Sequence, residues 1–193
     1  MKNCNLILFV ISFTIILLTT IEVNATNPAG SDDILMVPKA AYAPTIDGHL
    51  DSIWKNVANN KLLICYYPPQ NWLDMFSSFR VMWDDNYFYI FTTIQDEIIY
   101  TTHANYWEND VVEFLIDGDN SKNSQQQGLD NNDVHWHFNF GKAPHCSNNA
   151  IDFSSLNCVS LKTDIGWNLE IAFKFLNEMT FNANAYSIFE VSI

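Results

Sequence analysis

The sequence predicts an all-β domain, an antiparallel β-sandwich of the jelly-roll or immunoglobulin-like kind. Two observations carry that expectation. Short runs of β-branched and aromatic residues alternate with clusters of Asn, Asp, Gly and Pro, the pattern of strands and turns. No long stretch keeps a helical period; only Asp51 to Ala58 reads as a helical turn.

The elements follow in order. Phe79 to Trp83 (FRVMW) is a strand, and Asp84-Asp85-Asn86 after it is a turn. Tyr87 to Ile94 (YFYIFTTI) is apolar on both faces, as a central strand must be when each of its faces is covered. Val111 to Asp117, Val134 to Phe140, Cys158 to Lys162 and Gly166 to Phe175 continue the series. Tyr186 to Ile193 is a last strand with no turn after it, as expected of an incomplete chain or of a C-terminal edge strand.

Composition bounds the function. The chain has 193 residues, 48% hydrophobic and 16% charged, enough for one core and one domain. Aromatics at 15% argue against disorder. Nine Lys and Arg against 22 Asp and Glu give a net charge of −13, which excludes nucleic acid and disfavours anionic membrane surfaces as partners. Six glycines and no glycine-rich phosphate loop exclude a nucleotide cradle, and no organic cofactor is expected.

Residues 1–25 read as a signal peptide. Lys2 is the positive start, Leu6 to Leu18 is the apolar run, and Ala25 is a small residue suited to cleavage. The protein is therefore expected to be secreted and extracellular, with no membrane contact after cleavage. Residues 26–40 are an N-terminal lead, and 41–193 form the domain. The glycosylation sequon at Asn24 straddles the cleavage point. In an oxidising compartment Cys146 and Cys158 form a tentative disulfide closing a short loop, with Cys65 a buried thiol.

Four segments occur in a fixed order: Ile46-Asp47-Gly48-His49-Leu50-Asp51-Ser52-Ile53-Trp54, Val81 to Tyr89 (VMWDDNYFY), Trp107 to Asp117 (WENDVVEFLID) and Gly166 to Phe173 (GWNLEIAF). Physically, Asp47-Gly48 makes a tight turn, Trp54 is large enough to plug one end of a sandwich, and Trp54 and Trp83 suit core packing. On the Val111 strand, Val112, Phe114 and Ile116 share one face. Glu113 points to the other, toward a cleft. Trp107 lies in a polar loop just before that strand, where a core role is less automatic.

Together the segments resemble the family 9 carbohydrate-binding modules, sandwich domains attached to secreted xylanases and related glycosidases, over about residues 41–193. The resemblance implies non-catalytic binding of polysaccharide or oligosaccharide, such as the chain ends of cellulose or xylan. It implies that Trp107 is one of two tryptophans sandwiching the terminal sugar and Glu113 a carboxylate that binds hydroxyls. The family's next ligand is an arginine; here the aligned residue is His137, a donor whose charge depends on pH. The second tryptophan of the clamp falls beyond residue 193, and Trp72 is a substitute platform or simply loop packing. Structural calcium is a further implication. Asp117, Asp119 and Asp133 lie in the two loops that bring hard oxygen ligands together, loops that ordinary solvated turns also explain.

Two readings from other classes stay open, beside a metal hypothesis. Glu108, Asp110 and Glu113 fit the ExDxxE pattern of laminarinase- and lichenase-type glucanases, retaining enzymes whose two catalytic carboxyls sit about 5 Å apart. A regular strand puts Glu113 on the wrong face for that, so catalysis requires a β-bulge. A structural or adhesion sandwich with every tryptophan buried is the second. His135 and His137 also form an HxH pair able to hold zinc or copper if His103 or His145 converges on it.

Overall fold

The computed structural model describes residues 35–62, 76–117, 133–146 and 156–174. The signal segment, Trp72, Cys65, Asp119 and the last expected strand lie outside the described residues. Eight strands are found within them: β1 (Asn60–Leu62), β2 (Phe76–Trp83), β3 (Tyr87–Gln95), β4 (Val111–Asp117), β5 (Asp133–Asn139), β6 (His145–Cys146), β7 (Leu156–Thr163) and β8 (Gly166–Lys174). They form a five-stranded sheet in the order β1-β2-β3-β8-β7 and a three-stranded sheet in the order β4-β5-β6, with every strand pair antiparallel. β1 and β6 are too short to leave a periodic signal in the sequence.

Side-chain alternation assembles the core between the sheets. Phe88, Ile90 and Ile94 of β3 and Trp167, Leu169 and Ile171 of β8 face Val112, Phe114 and Ile116 of β4 and Val134, Trp136 and Phe138 of β5. β3 lies between β2 and β8, as its two apolar faces require. Its other face, with Tyr89 and Phe91, meets a second cluster that includes Trp54, Ile53, Met82 and Ala172. Trp54 thus covers the outer face of the large sheet rather than plugging an end of the sandwich. The Asp51–Ala58 turn is a single 3-10 turn over Trp54–Asn56. Trp83 is only half-buried, with its indole N–H donating to the Val37 carbonyl at 3.1 Å.

Glu170, on the outer face of β8, is fully buried. Its carboxylate accepts the Trp54 indole N–H at 2.8 Å and the backbone N–H groups of Asp47 and Gly48 at 3.0 and 2.9 Å. The first and fourth sequence segments are therefore joined through one side chain. Burial raises the Glu170 pKa, and the three donors oppose that rise. Gly48 has φ +80°, and a Cβ there would sit 2.6 Å from Leu161 Cβ, so only glycine fits the turn.

The expected disulfide is not made. Cys146 belongs to the three-stranded sheet and is paired with Trp136, whereas Cys158 pairs with Ile171 in the five-stranded sheet. Each packs against the core from its own sheet, and burial pushes the Cys158 thiol pKa up.

Candidate functional site

The outer face of the three-stranded sheet carries the polar residues. Because Val112, Phe114, Val134, Trp136 and Phe138 point inward, Glu113, His135, His137 and Asn139 point outward. Glu113 is paired directly with His137, and His137 in turn with His145 of β6. The short 3-10 turn Tyr106–Glu108 closes over this surface.

Glu113 sits between two imidazoles. His135 Nε2–H donates to its Oε2 at 3.3 Å, and His137 Nε2 lies 3.4 Å from its Oε1. The Glu113 and His135 side chains keep about a quarter of their surface in solvent, at 25% and 23%. His137 does not: at 3% exposure it is covered. The ring of Tyr106 lies 4.5 Å from it, and His135 and His145 flank it at 3.9 and 5.6 Å. Burial, with the neighbouring His135, lowers the His137 pKa to about 4, so it is neutral near pH 7. The Glu113 carboxyl is held below its usual value, first by the hydrogen bond from His135. His137, expected as a hydroxyl ligand, thus lies buried, while Glu113 and His135 face solvent.

Trp107 is 56% exposed, among the most exposed large apolar side chains described. It meets Tyr106 edge-on at 4.7 Å, and Tyr106 stacks on His145 at 4.0 Å. An unbroken line of ring and polar contacts thus runs from Trp107 through Tyr106 and His137 to Glu113.

The loop presenting this indole is braced by amides. Asn109 Nδ2 donates to the Asn105 carbonyl at 2.9 Å, while its Oδ1 accepts the His103 N–H at 2.8 Å. Asn139, reaching up from β5, donates to the carbonyls of Tyr106 and Asp110 at 3.0 and 3.1 Å. Such cross-links fix the backbone before any ligand arrives, which lowers the ordering cost of binding. The sequence reading missed Tyr106 and Asn139. Their signals were an aromatic beside Trp107 in a polar loop, and the alternation His135, His137, Asn139 on one strand.

The glucanase arrangement is not formed. Glu108 lies in the 3-10 turn, bound to His103 and to Asn105 Nδ2. Asp110 accepts the Tyr100 N–H, and burial raises its pKa, with the Asp96 carboxylate adding to the rise. β4 and β5 pair residue for residue from Val111 to Asp117, without the bulge that would turn Glu113 toward the other two acids. Among the described residues, neither His103 nor His145 gathers with His135 and His137 into a cluster of metal-ligand donors; Glu113 does. Of the calcium candidates, Asp117 and Asp133 are direct backbone partners at one end of the β4–β5 ladder.

A family model described as carbohydrate family 9 binding domain-like matches residues 46–193. The chain belongs to that family. A family 9 module from Caldicellulosiruptor kristjanssonii, solved in complex with glucose, has a TM-score of 0.62 at 23% identity, covering 74% of this chain and 69% of that one. The same kind of module in complex with cellotriose gives 0.60 at 23% identity over 72% and 66%. Both likenesses establish the sandwich fold. The endo-1,4-beta-xylanase A of Thermotoga maritima is 34% identical over 91 residues, 46% of this chain and 8% of that enzyme. The exoglucanase XynX of Acetivibrio thermocellus is 28% identical over 115 residues, 54% of this chain and 10% of that protein. The matched segment is thus a small part of each of these curated relatives.

Proposed function

We propose that this family 9 domain binds carbohydrate without catalysis, on the outer face of the three-stranded sheet. Trp107 offers a flat ring to the C–H face of a pyranose. Glu113 accepts, and His135 exchanges, hydrogen bonds with its hydroxyls. Such a site rejects analogues lacking those hydroxyls, because its own polar groups would be left unpaired. The ligands are β-linked glucan or xylan chain ends, and the domain works outside the cell beside glycoside-cleaving activity. The solved modules bound to glucose and cellotriose support the ligand class.

The observation that carries this reading is the exposed indole of Trp107 on a braced loop, linked through Tyr106 and His137 to a solvent-facing carboxylate. Titration with cellobiose and with xylobiose, followed by Trp fluorescence, tests it. A saturable change in the wild type that is lost in Trp107→Ala is expected. No response, or the same response in the variant, overturns it. Calcium at the Asp117–Asp133 end of the ladder, with Asp119, is proposed as a brace for the adjoining loops.

A further inference from the structure

The Glu113, His135 and His137 cluster has a geometry that hydrogen bonding explains incompletely. A carboxylate bonded by imidazole N–H groups is usually approached to about 2.7–3.2 Å. Here His135 Nε2 lies 3.3 Å from Oε2 and His137 Nε2 lies 3.4 Å from the other oxygen, Oε1, and only the first meets hydrogen-bond geometry. Bonds of about 2.0–2.1 Å from zinc to nitrogen and oxygen at a tetrahedral angle put neighbouring ligand atoms about 3.3 Å apart. One ligand atom from each of the three residues lies within 4.8 Å of the others.

We infer that Glu113, His135 and His137 form a site for a zinc-class divalent transition metal, with its remaining coordination position open to solvent beside the Trp107 loop. Two imidazoles and one carboxylate are the donor set for such ions. Calcium, which prefers an all-oxygen shell, is a poor fit. The β4–β5 register holds Glu113 directly opposite His137, and Tyr106 packs edge-on against the His137 ring. Access comes from the exposed edges of Glu113 and His135. Glu113 is shared with the proposed sugar contact, so the metal and a saccharide meet at this residue. The metal site itself does not depend on sugar being bound.

The test is calorimetric titration of the metal-stripped protein with Zn2+, alongside visible absorption with Co2+ as the probe. One equivalent of Zn2+ should bind, and Co2+ should give the d–d bands of a nitrogen-ligated centre. In His135→Ala and in Glu113→Gln the affinity should drop by more than the roughly 10- to 100-fold that losing an outer-shell partner costs. His49→Ala, at an exposed loop position outside the cluster, should keep full binding. Thermal unfolding of each variant confirms that it is folded. Absence of binding by the wild type, or affinity unchanged within about threefold in His135→Ala, overturns the inference. Cellobiose titration in the presence of a chelator separates the two ideas, since sugar binding that persists there leaves the carbohydrate reading standing whatever the zinc result.

Discussion

The indole N–H of Trp54 donates to Glu170 Oε1 at 2.8 Å across 116 positions of sequence. That bond, with two backbone N–H donors from the Asp47-Gly48 turn, offsets part of the cost of burying a carboxylate on the outer face of the large sheet. Trp54→Phe keeps most of the bulk and removes one donor. Denaturant unfolding should register a loss of about 1–3 kcal/mol. A neutral result would mean that packing alone accounts for the tryptophan.

Glu170 also sets a pH dependence. Burial raises its folded pKa above the unfolded carboxyl range of about 4.3. Between those two values the native state holds the extra proton, so stability falls as pH rises through the window. Melting curves of wild type and Glu170→Gln from acid to neutral pH isolate the effect. The wild type's advantage over the variant should shrink as pH rises. A flat or growing difference would contradict the raised value.

Asn139 cross-links β5 to the loop carrying Trp107. Asn139→Ala removes two hydrogen bonds from a buried amide and leaves the Tyr106 and Asp110 carbonyls without that donor. A stability loss of about 1–2 kcal/mol is expected. Amide hydrogen exchange should rise within residues 100–110, and saccharide affinity should fall although no ligand-facing group has changed. Unaltered exchange in that loop would remove Asn139 from the site's support.

Gly48→Ala meets two penalties at once, a positive φ and a Cβ placed against Leu161. Unfolding should show a loss of at least about 1 kcal/mol. Since Gly48 N–H also bonds Glu170, the variant and Glu170→Gln should be non-additive. Additive losses would uncouple the turn from the carboxylate.

If the ladder end at Asp117 and Asp133 takes calcium, excess Ca2+ should raise the melting temperature. Stabilisation is about 2.7 kcal/mol when the free ion is 100 times its dissociation constant. Asp133→Asn should abolish the shift. A melting point indifferent to Ca2+ would retire the proposal.

The strands with strong periodic patterning were legible from sequence, because alternation on β4 and β5 and the double-sided apolar run of β3 follow directly from burial. Glu113 could be assigned to the outer face for the same reason, and Trp107 to the surface from its polar surroundings. Other features depend on long-range partners. Nothing local says that Glu170 is swallowed by a turn some 120 residues earlier, or that Trp54 lies on the outside of a sheet. His137 was expected at the ligand from its alignment with the family's arginine; alternation gives its face of the strand but not what folds down over it, and Tyr106 does so from a separate turn. The Cys146–Cys158 pairing failed because nearness in sequence carried no information about which sheet each strand would join.

β5 divides its labour by parity, with Val134, Trp136 and Phe138 inside and His135, His137 and Asn139 outside. Of the outward set, His135 keeps part of its surface in solvent and can be exchanged with the interior left intact, whereas His137 and Asn139 are buried. Selection or a designer can thus retune what the surface grips at that position, whether by charge, ring or amide, while the scaffold's folding stays almost untouched.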